Sequence, residues 1–320
     1  MKKTLKILGI SVLTILVILG GFLVFWFFGD SYNDFYKKSQ KEFAIAGLND
    51  GFIPQGLCYT SNTFLTSGYM KDGSASRIYV VDKATNDTVK YFTLKIDGEF
   101  YVGHAGGIAT NGTKVWVAGD KIVHTFNYSD LLTVENAGSI DVLATFEAKN
   151  GADFLTVNNN LLWIGEFHKT GKYDTAADHT IQTASGKTNK AISFAYEIDN
   201  SLSNGFNTTA VKAISTGSQV QGMAISNDSI ILSSSYSLPN SKIYCYNNVL
   251  NETSSQTFDY SGEIIPLYVL VQPEHTLTAP SMSEEIEIVD GRIYILFENA
   301  CAKYKLFTRE KLTDVYSFTF

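Results

Sequence analysis

The chain has 320 residues, of which 45% are hydrophobic and 13% aromatic, with a formal net charge of −7. That apolar content excludes an intrinsically disordered chain, and the acidic balance argues against nucleic acid as a partner. Five prolines among 25 glycines and many Asn, Ser and Thr suit short strands joined by tight turns. Three cysteines without Cys-x-x-Cys spacing (Cys58, Cys245 and Cys301) do not make a disulfide framework and read as buried thiols.

The first expected element is a transmembrane helix. Ile7 to Phe28 carry no charge and are long enough to cross a hydrocarbon core of about 30 Å as a helix. Lys2, Lys3 and Lys6 precede this run, and Asp30 and Asp34 follow it, which predicts a single-pass anchor with a cytoplasmic N-terminus. The run exceeds the apolar region of a signal peptide and ends in Phe-Trp-Phe-Phe-Gly-Asp, without a small-x-small cleavage site, so it is read as uncleaved. Three lysines and no acids fall before residue 29, so the extracytoplasmic remainder holds 22 basic and 32 acidic residues, a net −10. Such a charge disfavours nucleic acid and anionic headgroups. It fits a bound cation, a cationic ligand or simple solubility. Residues 29–50 are polar, without a sustained period, and read as a stalk.

Residues 51–320 repeat themselves five times, with units starting near 52, 104, 151, 219 and 279. Their opening strands are IPQGLCY at Ile53, HAGGIAT at His104, GADFLTV at Gly151, QVQGMAI at Gln219 and MSEEIEI at Met282. After a turn come TFLTSGY, KVWVAGD, LLWIGEF, IILSSSY and RIYILFE. Third strands are expected at RIYVVD (Arg77), IVHTFN (Ile122), SFAYEI (Ser193), KIYCYN (Lys242) and AKYKLF (Ala302), and fourth strands at TVKYFTL, DVLATFEA, AVKAIS, QTFDY and DVYSFTF. Four-stranded antiparallel units at this period predict an all-β fold, a five-bladed β-propeller, over a solenoid or two sandwiches. On this count no exchanged strand is needed to close the ring, although residues 42–50 could add to an outer edge.

The opening unit resembles the first blade of the five-bladed glutaminyl-peptide cyclotransferase family. Pro54-Gln55-Gly56-Leu57 and Thr66-Ser67-Gly68 match its Thr-Gln-Gly-Leu start and second strand in part. The family's second-strand acid is absent from Phe64-Leu65-Thr66-Ser67-Gly68. The resemblance covers one blade and implies fold more than reaction. Over its whole length the chain is similar to membrane-anchored bacterial propellers, whose fold does not imply a function.

In a blade, the start of strand one and the end of strand two share a rim. The starts supply Gln55, His104, Asp153, Gln221, Glu284 and Glu285, and the ends supply Tyr69, Asp120, Glu166, His168, Tyr236 and Glu298. These twelve are the candidate ligand-binding residues at the channel mouth; such polar groups can equally bond backbone or channel water. Glu284-Glu285 opens an inner strand, where two acids are costly to bury unless a cation, hydrogen bonds or a raised pKa relieves them. Neighbours in a strand face opposite ways, so one of them should meet the channel, where Glu298 could join it to bind Ca²⁺ or to divide acid and base work. Zn²⁺ on His104, His168 and Glu166 is a second metal reading, without a compact motif. The insert Lys169–Lys190 and the stretch Ser261–Ser281 are expected to cover the mouth as lid and wall, or else to be surface decoration. No nucleophile elbow, phosphate loop or His-Glu-x-x-His is present.

The expected function is a binding module for a small molecule, peptide or cell-surface partner. The alternative is a hydrolase, lyase or cyclotransferase using rim carboxylates, with Ca²⁺ as one cofactor option. A third reading, a structural envelope component, requires a channel plugged by side chains.

Overall fold

The computed structural model describes residues 10, 11, 13–21, 24, 31–254 and 256–320. The chain divides into two units, Met1–Asn33 and Asp34–Phe320. Much of the expected span Ile7–Phe28 lies outside the described residues; those described within it are helical and exposed. Among the described residues no helix is long and apolar enough to cross a membrane.

The second unit is a five-bladed β-propeller. From the axis outward, blade 1 is Phe52–Thr60, Thr63–Met70, Arg77–Asp82 and Thr88–Ile96. Blade 2 is Ile108–Thr110, Lys114–Gly119, Ile122–Asn127 and Ala144–Glu147. Blade 3 is Phe154–Asn158, Leu161–Gly165, Ala191–Ile198 and Phe206–Thr216. Blade 4 is Val220–Ile225, Ser229–Ser234, Ser241–Asn247 and His275–Ala279, and the inner strands of blade 5 are Ser283–Val289 and Arg292–Phe297. Each inner strand packs against its two neighbours around the axis, so the ring is closed.

Closure corrects one expectation. AKYKLF at Ala302 is not a strand: residues 298–308 form successive turns, with Cys301 N–H donating to Glu298 O and Thr308 N–H to Tyr304 O. Leu306 and Phe307 are 77% and 57% exposed and none of residues 302–307 is buried, so AKYKLF has no buried face to hold it in a sheet. Asp314–Phe318 is instead the third strand of blade 5, and the outer strand is Gln40–Ala44, antiparallel to it with Gln40 opposite Ser317. The expected stalk therefore contributes to the ring. Phe43 is buried against Phe64, and Phe35, from the helix Asn33–Lys38, is buried among Phe297, Tyr316 and Phe318.

Two blades lend strands backwards. Between its third and outer strands, blade 2 adds Gly138–Asp141 in parallel to the edge of blade 1. Blade 4 likewise adds Gln256–Tyr260 and Glu263–Val269 to the edge of blade 3. QTFDY is thus not the outer strand of its own blade, and Ser261–Ser281 is not a wall of the mouth: it supplies strands to blades 3 and 4. The reason is apolar. Phe258, Tyr260, Ile265 and Leu267 join the buried cluster around Phe194, Tyr196 and Phe206.

At the axis the repeat explains its own glycines. Gly56, Gly107 and Gly222 occupy one repeat position, and a Cβ on Gly107 would lie 2.6 Å from the Phe154 Cα. A side chain there would push the inner strands apart.

Candidate functional site

One step towards the mouth from that glycine position stand Gln55, Gly106, Asp153, Gln221 and Glu284, one from each blade. All five line a single cavity of about 1020 Å³ at the head of the channel. The ends of the second strands add Tyr69, Asp120, Phe167, Tyr236 and Glu298, again one per blade. Of the twelve sequence candidates, ten line this cavity: Gln55, Tyr69, His104, Asp120, Asp153, Glu166, Gln221, Tyr236, Glu284 and Glu298.

The other two lie elsewhere, for local reasons. Glu285, the neighbour of Glu284, points into the closed axis and takes the position that glycine holds in blades 1, 2 and 4. Its Oε2 accepts from Leu57 N–H at 2.9 Å and Ile108 N–H at 3.0 Å, and its Oε1 accepts from Leu155 N–H at 2.9 Å. These donors are equivalent residues of blades 1, 2 and 3. Burial pushes this carboxyl up, and the three amides pull against that shift. His168 is buried beneath the insert, its ring nitrogens 3.1 Å from Thr175 Oγ1 and 3.2 Å from Thr170 Oγ1.

The zinc reading is corrected by these placements: His168 does not meet His104 and Glu166 in the cavity, whereas of the two adjacent acids Glu284 is the one that meets Glu298 there. Among the described residues no group of three or more His, Cys, Asp and Glu could hold a metal ion.

Two corners of the cavity carry the chemistry. In the first, Glu284 and Glu298 share a hydrogen bond, and Gln55 Nε2 donates to Glu298 Oε2 at 2.9 Å. Burial pushes Glu298 up to about 7, against the opposing pull of Lys303 and Gln55. Glu284 rises well above the usual carboxylate range through burial and the proximity of Glu298. Above it Lys303 Nζ donates to Tyr69 OH at 2.7 Å, and the Tyr69 ring packs on His104 at 4.8 Å between centroids. Burial lowers the pKa of His104.

In the second corner, Asp153 is pushed up to about 6 by burial, although Phe167 N–H donates to its Oδ2 at 2.7 Å. It is exposed to the cavity while surrounded by protein, which is how a wetted group still feels desolvation. Beside it Glu166 Oε1 accepts from Ile192 N–H at 2.8 Å and lies 2.6 Å from His179 Nδ1. His179 belongs to the insert, so this buried pair pins the insert to blade 3. The segment 172–176 then reaches over the cavity, where Lys172 Nζ donates to Tyr236 OH at 3.1 Å. Phe167 packs against both Tyr173 and Tyr236.

His179, Lys303 and Tyr304 escaped the sequence reading. His179 sat inside a segment read only as a lid, although a histidine in a polar insert was a visible signal. Lys303 and Tyr304 were assigned to a strand, which would have carried them away from the mouth.

Neither a protein-family model nor a curated protein matches the sequence. Solved structures similar in shape include the following three. A tail fibre of Staphylococcus aureus phage P68 aligns at TM-score 0.46 and 11% identity, over 94% of this chain and 56% of that one. This chain therefore spans little more than half of the tail fibre. U3-55K aligns at 0.44 and 8%, over 89% and 99%. A Thermus thermophilus protein described as an oxidoreductase (glucose dehydrogenase) aligns at 0.42 and 8%, over 88% and 99%. At this level of likeness no activity is carried over from them; the fold stands on the strand pairing itself.

Proposed function

We propose that the chain is a membrane-anchored, extracytoplasmic propeller that captures a small polar ligand at its channel mouth. What carries this reading is the convergence of residues from all five blades on one cavity of about 1020 Å³, roofed in part by the insert. That volume is at the upper end for a drug-sized ligand, for which sites run to roughly 1,000 Å³. Acids and amides line it beside the aromatic rings of Tyr69, Phe167, Tyr236 and Tyr304, a mixture that fixes orientation through hydrogen bonds and adds area through ring faces. The uncharged run Ile7–Phe28 behind Lys2, Lys3 and Lys6 supports the anchor and its orientation.

The test is a thermal-melt screen of small polar compounds on the full-length chain, repeated with Tyr236→Ala and Asp153→Asn. A ligand at 100 times its Kd adds about 2.7 kcal/mol, or roughly 5 °C for a chain of this size. The expected hit raises the wild-type midpoint and loses most of that shift in both variants. A screen without hits, or hits indifferent to both variants, would contradict the proposal.

One observation favours a second reading. Two hydrogen-bonded carboxyls, one of them poised at about 7, can give and take a proton near neutral pH. A hydrolase, lyase or cyclotransferase built on Glu284 and Glu298 would lose turnover at least about 100-fold in Glu298→Gln while still binding substrate.

A further inference from the structure

The corner that holds the acid pair contains an ammonium group already, and the way it is held indicates what the corner is built to accept. Lys303 comes from the exposed turn after the second strand of blade 5. Its Nζ lies 5.1 Å from the centroid of the Tyr69 ring and 5.0 Å from that of Tyr304. It donates to Tyr69 OH, and its charge acts on Glu298. The Tyr69 hydroxyl, the Tyr304 ring and the charge of Glu298 around one nitrogen form an aromatic and acidic cage, the arrangement that attracts an organic cation through the ring quadrupole and through charge.

Lys303 is held there by a hydrogen bond to the Tyr69 hydroxyl and by its charge on Glu298. Its backbone is in a surface turn and its side chain is exposed, so it can leave the cage without disturbing the sheet. Across the mouth the same pairing recurs: Lys172 and Lys169 lie 5.6 and 5.1 Å from the Tyr236 ring centroid. Tyrosines at this mouth are thus engaged by the protein's own alkylammonium groups, Lys303 at the Tyr69 hydroxyl and Lys172 at the Tyr236 hydroxyl. The net −10 of residues 29–320 favours the approach of a cation from solution.

We infer that the cage formed by Tyr69, Tyr304 and the Glu284–Glu298 pair is the binding subsite for a ligand alkylammonium group, with Lys303 as an intramolecular placeholder that the ligand displaces. This rests on the reading of the mouth as a ligand site and names the chemical class it takes: a molecule bearing a primary amine on an alkyl stem, as a free amine or as a lysine side chain of a peptide. The ligand's N–H groups would face Glu298 and the Tyr69 hydroxyl, and its stem would run past Tyr304 and Phe307 towards solvent.

The test removes the placeholder and supplies its side chain from solution. The full-length chain, its Lys303→Ala variant and the double variant Lys303→Ala/Glu298→Gln are titrated with n-butylammonium chloride, and with n-butanol as the neutral control. Binding is followed by ligand-observed NMR. Lys303→Gln is carried in parallel as a second way to vacate the cage, and a melt of each variant checks that it is folded. The inference expects n-butylammonium to bind Lys303→Ala and Lys303→Gln about tenfold more tightly than wild type, since one competing cation–ring contact is relieved. It expects little binding of n-butanol, and loss of the gain in the double variant. Equal affinity for wild type and the vacated variants, equal binding of butanol, or a gain that survives Glu298→Gln would each overturn it. If screen hits still bind in a manner sensitive to Tyr236→Ala and Asp153→Asn, only the ammonium cage has failed. If those are absent as well, the reading of the mouth as a ligand site fails with it.

Discussion

Glu285 is fully buried, and its carboxylate serves the main-chain amides of three other blades rather than a ligand. A Cβ on Gly222 would lie 2.6 Å from its Cα, so the glycine of blade 4 makes room where the glutamate of blade 5 comes in. The two neighbouring acids therefore divide: one ties the axis, and the other faces the cavity. Replacing Glu285 by Leu leaves three buried N–H groups without their acceptor and should cost about 3 kcal/mol or more, read as a lower urea midpoint. An unchanged midpoint would show that the amides find other acceptors. Glu298 makes a separate, pH-dependent prediction. Its pKa rises from 4.5 to about 7 on folding. The folded chain thus binds this proton more tightly, and the associated stability is present below about pH 4.5 and lost as the pH rises through about 7. Glu298→Gln should remove that component, so the difference in urea midpoint between variant and wild type should grow in the variant's favour from pH 4.5 to 8. A constant difference would mean that the carboxyl is not perturbed.

At the scale of elements, the outer strand of the last blade comes from the segment that precedes the repeats. Gln40–Ala44 completes blade 5, and Phe43 stacks on Phe64 with ring centroids 4.8 Å apart. Phe43→Ala should therefore cost about 3–5 kcal/mol, as for other buried phenylalanines, and denaturation midpoints would register it. A surface-like change, under about 0.5 kcal/mol, would show that this outer strand contributes little. Such a strand is hard to read locally: QKEFA has one buried residue, Phe43, and the outer edge of a blade demands little alternation. The assignment of QTFDY failed for a related reason. Both it and His275–Ala279 have strand-like sequences, and only the apolar match of Phe258 and Tyr260 to blade 3 decides between them. Inner strands were legible because each repeat opens with small or polar residues and continues into an apolar run and a turn at fixed positions.

For the propeller as a whole, that same repeat made much of the site legible. Register alone carries Gln55, Asp153, Gln221 and Glu284 to one rim, and Tyr69, Asp120, Tyr236 and Glu298 to the same rim from the adjoining strands. What register could not supply is the contribution of the irregular segments. The insert brings His179 and Lys172 into the mouth, and the turn after blade 5 brings Lys303 and Tyr304. These depend on tertiary contacts and follow no period. The third reading of the sequence, a structural component with a plugged channel, meets a mixed answer: Glu285 fills the axis, while the mouth above it stays open as a cavity.

The central claim is that this mouth receives the ligand, and a crystal structure of the full-length chain with a compound from the melt screen tests it most directly. The account predicts ligand density between the Glu284–Glu298 pair, Tyr69 and the insert segment 172–176. Density confined to the opposite face of the propeller, or to the outer edges of the blades, would contradict it.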